Sequence, residues 1–165
     1  DQSMEVRSIE TIVRALNDAR VQYLIVGGLA VNAHGFARST RDVDIVFQLD
    51  PSNAGKGLDA LLQAGWKMAI PVTPAAFADP LMRESWRAEK HMIVLKLWSD
   101  SHRRTPVDIF IYEPFDFHRE LPHALHVEIG PGLTAPFVSL ETLLQMKREA
   151  GRPQDLVDIE ELSRI

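Results

Sequence analysis

A chain of 165 residues with a net charge of −5 and 45% apolar content has enough material for one ordinary core and no strongly basic field to advertise nucleic-acid binding. The absence of cysteine excludes a disulfide framework and a thiolate metal site. No apolar run approaches the ~20 residues needed to span a bilayer and no signal-peptide pattern is seen, so a cytoplasmic protein without membrane contact is expected.

Taken in chain order, Met4 to Arg20 reads as an amphipathic helix, with Val6, Ile9, Val13 and Leu16 three or four residues apart. Val21–Val26 is short and β-branched enough for a buried strand. Gly27 and Gly28 end it, and Leu29–His34 gives a short helix whose free N–H groups face whatever lies above the glycines. His34 is expected to pack beneath that helix. Arg41–Leu49 is a second strand, and Gly55–Ala64 a helix with Ser52 as its expected cap. From Trp66 to Lys90 three prolines (Pro71, Pro74, Pro80) predict a loop with one or two short helical pieces.

His91–Trp98 and Pro106–Tyr112 are expected to be strands joined by the hairpin SDSHRRT, whose His102, Arg103 and Arg104 form a local basic cluster. Pro114–Pro122 reads as a connector. His123–Gly130 reads as a further strand, followed by a turn at Pro131–Gly132 and an extended segment to Val138. Two helices, Ser139–Ala150 and Pro153–Ile165, separated by Gly151, complete the chain. The order predicts an α+β (α/β) fold, one mixed β-sheet flanked by helices, with a C-terminal helical pair.

The chemistry concentrates in three places. Asp42 and Asp44 sit two apart in an apolar run, so both carboxylates share a strand face roughly 6–7 Å apart along the chain. Asp108, in PVDIFIY, is the third acid; it shares its face with Phe110 and Tyr112, while Val107, Ile109 and Ile111 cover the other. If the second and fourth strands are neighbours, three carboxylates converge and raise one another's pKa values unless a hard divalent cation lies between them. The glycine pair lets the backbone approach a phosphate closely. No GxxxxGK[ST] or GxGxxG pattern occurs. Lys147 follows Leu140, Leu143 and Leu144 on one apolar helix face, either snorkelling or aimed at a phosphate. Arg38 and Arg41, just before the acid pair, are further phosphate candidates or surface residues. Arg152 and Asp155 are close enough in sequence to pair with one another.

VGGLAVNAHGFARSTRDVDIVF followed by PVDIFIY resembles the DNA polymerase β-like nucleotidyltransferase superfamily. Its pattern is hG[GS], then [DE]h[DE]h, then a third acid on a later strand. The tail SLETLLQMKREAGRPQDLVDIEEL is similar to that of the small AbiEii-type nucleotidyltransferases, some of them toxins of toxin–antitoxin pairs. The resemblance implies a catalytic core over residues 1–138 with a helical segment, 139–165, packed on it as part of a single domain. It implies that Asp42 and Asp44 bind two Mg²⁺ (or Mn²⁺) ions, and that Asp108 binds one while helping to deprotonate an acceptor hydroxyl. Gly27 and Gly28 would line the triphosphate site of an NTP, and Lys147 would contact the nucleotide. Many members carry serine where this chain has Gly28, so a hydroxyl contact to phosphate must be replaced or abandoned. The implied activity is transfer of a nucleoside monophosphate to an acceptor such as RNA or a tRNA 3′ end, with an antitoxin protein as partner. The alternatives are a small-molecule (antibiotic) nucleotidyltransferase and a catalytically idle binding module.

Overall fold

The computed structural model describes residues 5–165; Met4, the expected start of the first helix, lies outside them. Helix α1 runs Val6–Asp18 and buries Ile12, Val13 and Leu16, while Val6 is 64% exposed. The packed stripe therefore begins one turn later than the spacing suggested. Strand β1, Tyr23–Val26, is buried along its whole length. Helix α2, Gly27–Ala33, takes the glycine pair into its own first turn instead of beginning after it.

Strand β2 is Val43–Phe47, and helix α3 is Pro51–Gln63. The cap of α3 is Asp50, which accepts from the Asn53 N–H at 3.4 Å, so Ser52 lies within the helix. Asn53 also donates to the carbonyls of Gln22 and Gln48 at 2.9 and 2.7 Å, tying the start of α3 to the ends of β1 and β2.

The stretch expected to be a loop with one or two short helical pieces holds more regular structure than that. It holds β3 (Lys67–Met68), α4 (Pro74–Ala78) and an eleven-residue α5 (Pro80–Lys90). Two of its prolines occupy helix starts, where a missing N–H costs nothing, behind the capping residues Thr73 and Asp79. They mark beginnings: the one or two short helical pieces expected are two helices, of which α5 is longer than expected. Arg83 of α5 is buried, donating to the Leu49 carbonyl at 3.1 Å and to the Phe77 carbonyl, and burial lowers its pKa.

Strands β4 (Val94–Trp98) and β5 (Val107–Phe110) form the expected hairpin. His102 at its tip is not free: it stacks on Trp66 at 4.7 Å and its Nδ1 lies 2.7 Å from the Ser8 hydroxyl. The connector holds a short helix α6 (Phe117–Glu120) and a 3-10 turn (Leu121–His123). Strands β6 (Leu125–Gly130) and β7 (Leu133–Phe137) and helices α7 (Leu140–Ala150) and α8 (Pro153–Ser163) follow.

The seven strands make one mixed sheet in the order β3-β4-β5-β2-β1-β7-β6. Strand β2 is antiparallel to β1 and parallel to β5, and β1 is parallel to β7. Helix α2 packs on β1, β2 and α7, while α3 packs on α1, β2 and α4. The core lies along the central strands, where Leu24, Ile25, Ile45, Phe47, Val107 and Ile109 are buried. No helix among the described residues is long and apolar enough to cross a membrane.

Candidate functional site

Parallel pairing of β2 with β5 sets Asp44 directly beside Asp108, one step after the Val43–Val107 pair. Asp42 precedes β2, and its side chain comes round to the same place. Each of the three carboxylates offers an oxygen within 4.8 Å of the others. The alternation expected for β5 holds: Val107, Ile109 and Ile111 are buried in the core and Asp108 shares the opposite face with Phe110.

Such a cluster is electrostatically costly by itself. Burial, then the charges of Asp42 and Asp108, push the Asp44 carboxyl up to about 8, despite the opposing pull of Lys147 and Lys96. Burial and Asp42 likewise raise Asp108, against the pull of Lys96. Desolvation and like charge thus act together on two neighbouring acids. The donors are all carboxylate oxygens, converging and half-buried to buried, which is the ligand chemistry of a hard divalent cation such as Mg²⁺ or Mn²⁺. The residues fit such an ion.

Gly27 is fitted to this cluster. Its φ is +65°, and a Cβ there would overlap a carboxylate oxygen of Asp44 and lie 2.8 Å from its Cγ. Both the backbone and the neighbouring acid exclude a side chain. Gly27→Ala is expected to push Asp44 out of the cluster, so that divalent cations no longer raise the melting temperature. A normal metal-induced rise in that variant would show that Asp44 does not need this place.

Lys96, absent from the sequence reading, is the cation nearest the acids. It pairs across the hairpin with Asp108, its Nζ 3.3 and 3.4 Å from the two carboxylate oxygens. The signal was available: a hairpin symmetric about His102 puts position 96 opposite position 108.

The other expected phosphate contacts are placed differently. Arg38 forms a two-pronged ion pair with Asp158 of α8, at 2.7 and 2.8 Å, and its remaining nitrogen donates to the Ser39 carbonyl. Lys147 is buried as its helical face required, but its Nζ lies 3.1 Å from Asp155 and 3.0 Å from Asp158. Arg152 pairs with Asp155 at 2.7 Å. Burial opposes ionisation of both acids, yet hydrogen bonds from Arg152 and Lys147 hold Asp155 below the usual carboxylate range. Those from Arg38, Lys147 and Gln154 do the same for Asp158. Three cations against two carboxylates leave one positive charge in surplus, and Lys147 is near enough to lower the Asp44 pKa. Arg41 is exposed, beside the acids in sequence, and makes no ion pair among the described residues. His34 donates from Nε2 to the Val138 carbonyl, 2.8 Å away, a packing contact that joins α2 to the start of α7.

No family model matches the chain, and no curated protein does. Solved structures do. A lincosamide antibiotic adenylyltransferase, LnuA, bound to lincomycin, is similar at a TM-score of 0.60 and 17% identity, over 98% of each chain. The antibiotic-resistance factor ANT(2″)-Ia is similar at a TM-score of 0.61 and 12% identity, over 95% of this chain and 81% of its own. An antigenic nucleotidyltransferase-like protein from Paracoccidioides brasiliensis follows at 0.57 and 20%, over 96% of this chain and 75% of its own. At these identities the likeness is one of architecture: the mixed sheet and its flanking helices form a nucleotidyltransferase-like fold.

Proposed function

We propose that the chain is a divalent-metal-dependent nucleotidyltransferase that moves a nucleoside monophosphate from an NTP to an acceptor hydroxyl and releases pyrophosphate. The observation that carries this reading is the convergence of Asp42, Asp44 and Asp108 in a fold shared with nucleotidyltransferases. Mg²⁺ or Mn²⁺ held between these carboxylates would neutralise the triphosphate and lower the pKa of the acceptor hydroxyl. Asp42, Asp44 and Asp108 would hold the cations, and Asp108 would also help to take the proton of that hydroxyl. The bond from the acceptor oxygen to the α-phosphorus forms as the bond to the pyrophosphate oxygen breaks. Gly27 and Gly28, lacking side chains of their own, leave room for the Asp44 and Thr40 side chains against the start of α2. Lys96 and Arg41 supply positive charge beside the acids, while Arg38 fixes α8 against the loop before Asp42 and Lys147 fixes α8 against α7.

A small-molecule acceptor has specific support. LnuA is a lincosamide adenylyltransferase, and a structure of ANT(2″)-Ia holds adenylyl-2″-tobramycin. An RNA or tRNA acceptor, a toxin role with an antitoxin, and the AbiEii-type branch rest on the sequence resemblance alone.

The test is to incubate the protein with each labelled NTP and Mg²⁺, with total RNA in one arm and hydroxyl-bearing small molecules, antibiotics included, in the other. Label transfer and pyrophosphate release should appear in one arm and fall at least ~10³-fold in Asp44→Asn, the scale of lost electrostatic stabilisation of a transition state. If Asp44→Asn retains the transfer rate, the acid cluster is not the centre.

A further inference from the structure

We propose that the Thr40 hydroxyl donates a hydrogen bond to the phosphate chain of the bound nucleotide, from the place where a side chain at position 28 would stand. The inference rests on the nucleotidyltransferase reading above. A Cβ built on Gly28 would overlap Thr40 Oγ1, lie 2.7 Å from Thr40 Cβ and come within 3.3 Å of an Arg38 guanidinium nitrogen. The threonine side chain therefore fills the volume that residue 28 vacates. In the serine form of the glycine pair a hydroxyl hangs from that same volume, so its loss at position 28 is matched by a hydroxyl arriving from position 40.

The neighbouring residue fixes where this hydroxyl stands. Gly27 is covered by the Asp44 carboxylate in the same manner, and consecutive Cα atoms are about 3.8 Å apart. Thr40 Oγ1 thus covers the residue next to the one that Asp44 covers. The loop that carries it is tied down. Asn32 donates to the Phe36 and Arg38 carbonyls, each at 3.0 Å, and Arg38 is held by both oxygens of Asp158. Thr40 itself is half-buried, and its hydroxyl makes no hydrogen bond among the described residues. A donor set one residue along from a metal-binding carboxylate, with its neighbours fixed and itself unengaged, suits an oxygen of a metal-bound polyphosphate.

The probe is inorganic tripolyphosphate with Mg²⁺, which has neither base nor sugar, titrated calorimetrically into wild type, Thr40→Val and Thr40→Ser. Valine keeps the shape and removes the donor; serine keeps the donor. Thr40→Val should weaken binding about tenfold, what one hydrogen bond to a charged group is worth, and Thr40→Ser by less than about threefold. The response to Mg²⁺ alone and the melting temperature of the free protein should not change. The exchange Gly28→Ser with Thr40→Gly returns a hydroxyl from the other backbone position and should recover most of the affinity. It keeps the question open to measurement should Thr40→Val fold poorly. Equal binding by wild type and Thr40→Val overturns the inference and leaves the nucleotidyltransferase reading standing. Failure of the wild type itself to bind Mg²⁺-tripolyphosphate overturns both.

Discussion

Without divalent metal, Asp44→Asn is expected to be more stable than the wild-type chain at pH 9 and to match it in the folded carboxyl's protonated range near pH 4. The sign follows from the direction of the shift. The Asp44 carboxyl lies at about 8 in the folded protein, against roughly 3.9 when unfolded. Between those values the folded state binds the extra proton, so stability falls as pH rises from about 4 and levels off above about 8. Each unit is worth about 1.4 kcal/mol, so four units cost the wild type on the order of 5–6 kcal/mol across the window. Asn keeps the shape of the side chain and carries no charge, so most of that fall should vanish. Mg²⁺ should reverse the loss in wild type, more strongly at pH 9 than at pH 6, because the ligands must be deprotonated. Urea denaturation at several pH values, with EDTA or Mg²⁺, measures each term. Parallel pH profiles for the two proteins would mean that the acid cluster is not strained.

The same electrostatic strain explains why this part of the site was legible in the sequence. A carboxylate alternating with Val43, Ile45 and Phe47, or with Val107 and Ile109, has no ordinary place in a core. The period of two fixes which way it points, and a parallel neighbour then brings Asp44 against Asp108. Local periodicity was sufficient there. It was insufficient to place the bounds of α4 and α5 within a stretch expected to hold one or two short helical pieces, because Pro74 and Pro80 act as helix starts only in combination with Thr73 and Asp79, and the same residues suit a loop. Thr40 could not have been singled out at all. Its relation to Gly28 arises when residues 36–41 fold back over α2, a contact twelve residues apart with no periodic signature. Lys147 falls between these cases: its burial was readable from the helical face, but its partners lie on the next helix.

Those partners set the second large effect. Lys147→Met is expected to destabilise the protein by up to about 3–5 kcal/mol, the upper figure being the cost of a buried charge left wholly unpaired, because two buried carboxylates each lose one cation. The sequence left two readings: a charge aimed at a phosphate, for which methionine would cost affinity and leave the fold intact, or a snorkelling or paired lysine, for which it would alter only stability. In the structure Lys147 Nζ sits between Asp155 and Asp158, which are 1% and 0% exposed. Arg38 still serves Asp158 and Arg152 still serves Asp155, but each acid loses one of its two cations. Both acids are held below their usual range, so their contribution is present above about pH 4 and disappears as pH falls through the lower folded values. The deficit of Lys147→Met should therefore shrink in acid. Adding Asp158→Asn to Lys147→Met should recover part of the loss, since it removes a carboxylate that the first change left underpaired. Denaturation of the two single variants and the double variant at pH 7 and pH 3 decides the matter. If Lys147→Met unfolds at the wild-type denaturant concentration yet binds Mg²⁺-tripolyphosphate more than tenfold more weakly, the lysine serves the nucleotide and not the helix pair.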